Sequence, residues 1–167
     1  MREILFKAKR LDNGEWVEGL PTGAREDGSY YIVTNVYGMD ERFGIGNRGE
    51  YRLFHDAYRV DPSTVCEYTG LTDKNGKKIF EHDVVIAGDE SGEICRFSVA
   101  FGKCGGIQNV DHDVGYMGFY FEPNNEETKY CMKYGARNDM IYWLNAYKCE
   151  VIGSIHDGEG GQHEGNE

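Results

Sequence analysis

Residues 60–85 read Val-Asp-Pro-Ser-Thr-Val-Cys-Glu-Tyr-Thr-Gly-Leu-Thr-Asp-Lys-Asn-Gly-Lys-Lys-Ile-Phe-Glu-His-Asp-Val-Val, and this stretch decides the fold. Its residues 73–76, Asp-Lys-Asn-Gly, have the pattern of a hairpin turn. Asp73 suits the first position of a type I turn, and Gly76 suits the position at which the backbone passes through positive φ. The stretch therefore predicts two strands joined at residues 73–76.

A polar corner interrupts the strand that follows this turn. Ile79 and Phe80, and then residues 84–86 (Val-Val-Ile), are β-branched or aromatic, which favours extended structure. Residues 81–83, Glu-His-Asp, separate the two apolar runs. None of these residues indicates a reaction, so the stretch predicts a fold rather than an activity.

Three segments of the chain match the pattern of one family. The central segment consists of residues 68–71 (Tyr-Thr-Gly-Leu), Asp73, Gly76 and residues 79–85 (Ile-Phe-Glu-His-Asp-Val-Val). The outer segments are residues 4–10 with 14–19, and residues 150–155. Together they resemble the YopX-like proteins of bacteriophages and prophages, with a similarity that spans residues 1–157.

The resemblance implies a phage or prophage protein, and it brings no established biochemical activity. Two departures from the family pattern stand out. His82 occupies a position that is usually glycine in a Glu-Gly-Asp corner, which puts the backbone of the corner in question. The chain after Ile155 lacks the usual acidic and apolar ending.

Composition favours a mainly β protein. The 167 residues include 23 glycines, three prolines and 13% aromatic residues, which is typical of strands joined by tight turns. We expect a β-rich α+β chain with an N-terminal β-rich subdomain over residues 1–59, a small SH3-like β-barrel over residues 60–156 and a disordered acidic tail over residues 157–167. One or two short helices are expected, the clearer one at residues 140–144 behind an N-cap at Asn138-Asp139.

Alternation of apolar and polar residues predicts the core. In residues 93–101, a single face carries Cys95, Phe97, Val99 and Phe101, and this is the expected core face. The closing strand is expected at residues 150–155. The residues expected to be mostly buried are Tyr68, Leu71, Ile79, Val84, Phe97, Val99, Val151 and Ile155.

The charge balance argues against nucleic acid as a partner. The chain has 18 basic and 29 acidic residues and a net charge of −11, whereas phosphate binding needs clustered Lys and Arg. It has no apolar run near the ~18 residues that a membrane span requires. Five widely spaced cysteines suit free thiols in a reducing compartment. We expect a protein of the bacterial host's cytoplasm, without a cofactor.

Two motifs contain the residue types of metal-binding and nucleotide-binding sites. Asp111, His112 and Asp113 form the densest group of metal-ligating side chains, and residues of one loop could converge on an ion. We favour a solvated loop there, and a metal-binding protein or metal-dependent enzyme using these residues is kept as an alternative. The Gly-x-Gly-x-x-Gly pattern at residues 44–49 is followed by a strand-like segment rather than a helix, which disfavours nucleotide binding.

Aromatic residues crowd the segment 30–59. A small domain cannot bury all of them, and an exposed aromatic patch indicates either subunit contact or stacking on single-stranded bases. Acidity favours subunit contact, so we expect a homo-oligomer. Its predicted interface residues are Tyr37, Tyr51, Phe54 and Tyr58.

The preferred function is a non-catalytic phage accessory protein, an oligomeric module that binds a host or phage protein. No catalytic, cofactor or metal residue is assigned. Single-stranded nucleic-acid binding through the Tyr- and Arg-rich segment 30–59 is a second alternative, based on Arg42, Arg48, Arg52 and Arg59.

Overall fold

The computed structural model describes residues 3–39, 53–88, 94–104, 116–126, 128–129 and 140–158 of the chain. In chain order, the elements of this part are β1 (Phe6–Lys9), β2 (Trp16–Pro21), β3 (Tyr30–Met39), β4 (Leu53–Val60), β5 (Cys66–Thr72), β6 (Lys78–Phe80), β7 (Asp83–Gly88), β8 (Ile94–Cys104), β9 (Tyr116–Pro123), α1 (Met140–Ala146) and β10 (Lys148–Ser154). Short 3₁₀ turns cover Pro62–Thr64 and Ile155–Asp157. The mainly β class is confirmed.

The chain divides into two compact units, Met1–Glu67 and Tyr68–Glu167. The three-part division expected from the sequence stays a prediction. In the first unit, β1 to β4 pair in chain order as an antiparallel sheet. Ala8, Ile32 and Val60 are buried together and form its core.

The second unit contains a four-stranded antiparallel sheet in the order β10-β7-β8-β9. Phe97 of β8 stacks on Phe121 of β9, with ring centroids 5.2 Å apart, and packs against Trp143 of α1 at 4.7 Å. Met140 and Trp143 are three residues apart, so they share one side of the helix, and both are buried. The helix expected at residues 140–144 is confirmed and extends to Ala146.

The SH3-like barrel is not confirmed. Within the described residues, β9 and β10 are the two edges of an open sheet, and the strands do not close into a barrel. Alternation in the sequence specifies which face of a strand is buried, but it does not specify whether the first and last strands of a sheet meet. The mainly β class was therefore predictable from the sequence, and the closure of the strands into a barrel was not.

Most of the predicted core is buried. The buried members are Tyr68, Ile79, Val84, Phe97, Val99 and Val151. Leu71 is half-buried and packs against the same cluster.

Two expectations of burial are wrong. Ile155 is 52% exposed, because β10 ends at Ser154 and Ile155 begins a 3₁₀ turn. Phe101 is 53% exposed, because the pairing of β7 with β8 ends at Ser98 while β8 continues beyond it, paired with β9. Phe101 thus lies beyond the part of β8 that pairs with β7, and Ile155 lies beyond the end of its own strand, β10.

Several expectations concern residues outside the described ranges. They are the Asp111, His112 and Asp113 group, the glycine motif at 44–49, Tyr51, the N-cap at Asn138-Asp139 and the tail from residue 159 onward.

The turn at residues 73–76 is confirmed, and Gly76 has a φ of +80°. We expect Gly76→Val to lower the free energy of unfolding by on the order of 1 kcal/mol or more. A Cβ at Gly76 would meet no atom within 4 Å, so the cost is conformational. Gly76→Asn is the matched control, because asparagine tolerates left-handed backbone better. Urea unfolding measures both variants, and wild-type stability in Gly76→Val would contradict the positive-φ requirement.

Candidate functional site: the central turn and a histidine pair

The carboxylate of Asp73 organises the central turn. Its Oδ1 accepts hydrogen bonds from the backbone N–H groups of Asn75, at 2.8 Å, and Lys77, at 2.9 Å. The backbone N–H of Asp73 donates to the Lys77 carbonyl at 2.9 Å. One side chain thus binds the donors that a tight turn leaves without a partner, which is the local role for which aspartate is favoured.

The same carboxylate ties the turn to the last strand. Asp73 Oδ2 accepts the N–H of Val151 in β10 at 3.0 Å, and the N–H of Lys74 donates to the Cys149 carbonyl at 3.0 Å. Lys74 Nζ also pairs with Glu150 Oε2 at 2.6 Å. Since β10 is an edge of the four-stranded sheet, the turn covers backbone groups that an edge strand leaves unpaired.

The second corner, residues 81–83, is built in a similar way. Asp83 is 1% exposed, and its Oδ2 accepts the N–H of Phe80 at 2.9 Å. His82 has a φ of +64°, and among the described residues it is the one residue other than glycine with positive φ. Asp73 and Asp83 therefore both bind backbone amides, which accounts for their presence in the stretch without assigning them any reaction.

The backbone of His82 joins three segments. Its N–H donates to the Val99 carbonyl at 2.8 Å. Its carbonyl accepts the N–H of Ile155 at 2.9 Å and the hydroxyl of Ser154 at 3.1 Å. The corner is thus held between β8 and the 3₁₀ turn that follows β10.

The imidazoles of His82 and His156 meet at this corner. His156 Nε2 lies 3.1 Å from His82 Nδ1, and the ring centroids are 5.1 Å apart at an interplanar angle of 75°. Both side chains are half-buried. Glu81 Oε1 lies 3.9 Å from the other ring nitrogen of His82, Nε2.

A capping box holds the turn that carries His156, and in it the side chains of Ser154 and Asp157 each accept a backbone N–H. The Ser154 hydroxyl accepts the N–H of His156 at 3.4 Å, and Asp157 Oδ2 accepts the N–H of Ser154 at 2.7 Å. This reciprocal cap fixes the three residues after β10.

The sequence by itself does not place these two histidines together. The signal was present in two His-Asp dipeptides, 82–83 and 156–157, but they are far apart in the chain. The register of β10 on β7 pairs Ser154 with Asp83, and this brings the residues next to them together. Knowledge of that register would have predicted the contact.

The cysteines of the described residues fit a packing role. Cys149 is buried, and its thiol contacts the Trp143 carbonyl at 3.4 Å. Burial raises the pKa of the Cys149 thiol to about 11, and the charge of Asp73 acts in the same direction. Cys66 is buried and Cys95 is half-buried. A thiol that stays protonated near neutral pH is a poor nucleophile.

Of the four predicted interface residues, the structure describes the side chain of Tyr58. It is half-buried, and the Arg10 guanidinium carbon lies 4.3 Å from its ring centroid. Tyr37 and Phe54 belong to β3 and β4, and their side chains, like Tyr51, lie outside the described part. The interface stays a prediction.

We expect Asp73→Asn to lower the free energy of unfolding by about 1–3 kcal/mol. The NH₂ group of the asparagine would face backbone N–H groups whose hydrogen bonds the carboxylate of Asp73 accepts. Chemical unfolding measures the change. Asp12→Asn is the matched control in an exposed turn, where the ion pair with Arg10 contributes little. Equal effects of the two substitutions would contradict the role assigned to Asp73.

Alkaline pH is expected to destabilise the second unit through Cys149. The unfolded thiol loses its proton near its ordinary pKa of about 8.5, whereas the folded thiol keeps it to about 11. The folded state therefore binds more protons between these values, and stability falls as pH rises through that window. Unfolding of wild type and Cys149→Ala from pH 8 to pH 11 measures the effect. The difference in stability between them should shrink with pH, and a constant difference would count against the shifted pKa.

Comparison with known proteins gives one family. A family model described as YopX protein matches residues 35–159, about three quarters of the chain. The match includes the central turn, the corner at residues 81–83 and both histidines. No curated protein and no solved structure matches the chain. Among the described residues, no helix has the length and apolarity needed to cross a membrane.

Proposed function

We propose that this chain, which belongs to the YopX family, is a non-catalytic accessory protein of a phage or prophage that acts by binding another protein chain. The roles of Asp73 and Asp83 support this proposal. Both carboxylates bind backbone amides, and so these two acidic groups serve the fold.

The observation that carries the proposal is an apolar surface on β8 and β9, formed by Phe101, Met117 and Phe119 and called here the ribbon face. Phe101 is 53% exposed and Met117 is 67% exposed. Phe101 pairs with Phe119 across the two strands, and their rings meet edge to face at 5.1 Å. The ribbon face continues the side of the sheet that holds the core, because Phe97, Val99 and Phe101 alternate along β8.

An exposed cluster of this kind favours a protein partner. Single exposed apolar residues are ordinary, but adjacent ones on one face mark interaction sites. Aromatic residues and methionine are enriched in the cores of protein interfaces. β9 is also an edge of the four-stranded sheet, where a partner can add backbone hydrogen bonds.

The charge of the chain argues in the same direction. A net charge of −11 opposes phosphate binding. In the first unit, Arg10 and Arg25 already lie over the rings of Tyr58 and Tyr31, at 4.3 and 4.6 Å. A base stacking on the same face of either ring would have to displace a guanidinium group. Nucleic-acid binding through residues 30–59, and metal chemistry at Asp111, His112 and Asp113, remain alternatives without such support.

The first partner to test is a second copy of the chain. A symmetric dimer would cover two ribbon faces with one repeated contact. Phe101→Glu and Met117→Glu should reduce the mass of an oligomer towards 19.0 kDa in light scattering coupled to size exclusion, because a buried carboxylate without a partner is strongly unfavourable. Asn124→Glu, an exposed position of the same unit, is the matched control and should leave the mass unchanged.

The same experiment separates the ribbon face from the predicted tyrosine interface. If Tyr51→Glu lowers the mass and the ribbon variants do not, self-association uses the segment 30–59. A single 19.0 kDa species of wild type across the micromolar range would contradict self-association.

A further inference from the structure

We propose that His82 and His156 form a binding site for a divalent transition-metal ion of the zinc type. Imidazole nitrogen is a preferred ligand of Zn²⁺, Ni²⁺ and Cu²⁺. The site is formed by residues of the second unit, and it is separate from the ribbon face and from residues 111–113.

The spacing of the two nitrogens fits a shared ion. His156 Nε2 and His82 Nδ1 are 3.1 Å apart. Two Zn–N bonds of about 2.0–2.1 Å at a tetrahedral angle place their nitrogens about 3.4 Å apart. A change of a few tenths of an ångström, within the reach of a small rotation of either ring, would admit the ion. The proton that now lies between the two nitrogens would be replaced by one on the other nitrogen of the same ring, so that two neutral imidazoles each turn a lone pair towards the ion.

Hydrogen bonds fix the backbone at both histidines before any ion arrives. His82 is fixed by hydrogen bonds to Val99, Ile155 and Ser154. His156 is fixed by the box of Ser154 and Asp157. With the backbone fixed, only the side-chain rotations of the two histidines have to be restricted on binding, and this smaller loss of freedom strengthens a site that has few ligands.

The conformation of His82 is an independent observation. A residue with a side chain at a φ of +64° lies in an unfavourable region of backbone conformation, which glycine occupies without that cost. Residues held in such conformations cluster at ligand sites. At this corner the strained residue carries one of the two converging imidazoles.

Glu81 stands where a supporting carboxylate is expected. Its Oε1 lies 3.9 Å from His82 Nε2, on the opposite side of the ring from His156. At 3.9 Å the two atoms are too far apart for a hydrogen bond. A rotation of the Glu81 side chain that shortens this distance would favour the tautomer with its proton on Nε2, which leaves the Nδ1 lone pair for the ion. Metal-bound histidines commonly have such a partner.

The test is titration of ZnCl₂ into the full chain, prepared without an affinity tag and treated with EDTA, by isothermal calorimetry. We expect one saturable site per chain. His82→Gly and His156→Ala should each lower the association constant by about tenfold or more, because even supporting residues of a metal site change affinity by 10–100-fold. His55→Ala, a histidine of β4, is the matched control and should bind like wild type.

Thermal melting provides the second readout. ZnCl₂ should raise the Tm of wild type, and the shift should be lost in His82→Gly, since a ligand that binds the folded state stabilises it. His82→Gly suits the positive φ, so without metal its Tm should equal or exceed that of wild type, which separates lost binding from lost folding. The proposal is overturned if wild type shows no saturable binding. It is also overturned if either histidine substitution leaves the association constant unchanged, because the ion would then be held elsewhere.

Discussion

The Asp73 carboxylate is the interaction on which the rest of the second unit depends. One of its oxygens binds two N–H groups of its own turn, and the other binds Val151, which lies 78 residues further along the chain. A buried backbone N–H without a partner is costly, so the turn and the last strand satisfy each other's polar groups through a single side chain. Neither the local turn nor the edge of β10 is complete without the other.

A second connection anchors the far end of β10. The corner at His82 accepts hydrogen bonds from Ser154 and Ile155, while Asp73 holds the middle of the strand at Val151. Between these points β10 pairs with β7, with an irregularity between Val151 and Gly153. The last strand is therefore held by the turn, the neighbouring strand and the corner. These contacts all join distant parts of the chain, and contacts of this kind form late and slowly in folding.

Local features of the second unit, such as the central turn, were predictable from sequence. Features that depend on where a strand or its pairing ends, such as the exposure of Phe101 and Ile155, were not. Asp73 and Gly76 specify a turn by their own hydrogen bonding and φ, so the pattern alone was sufficient. Phe101 and Ile155 alternate correctly with the core, yet both are exposed because β7 and β10 stop short of them. The histidine pair depends on the register of β10 against β7, which no local pattern encodes. The same limit explains why the β class was found and closure of a barrel was not.

This division also indicates where function can reside. Both oxygens of Asp73 and Oδ2 of Asp83 bind backbone amides, and the Cys149 thiol stays protonated in its buried position, so these side chains act as structural groups. Phe101 and His156, which the two proposals use, both lie beyond the end of a stretch of strand pairing. Phe101 is exposed because β7 ends, and His156 reaches His82 because β10 ends in a capped turn. The end of the β7 pairing thus leaves the apolar side chain of Phe101 in water. The capped turn after β10 brings the imidazoles of His82 and His156 together. The positions at which the β7 pairing and β10 end, together with the residues found there, therefore determine part of what this unit presents to other molecules.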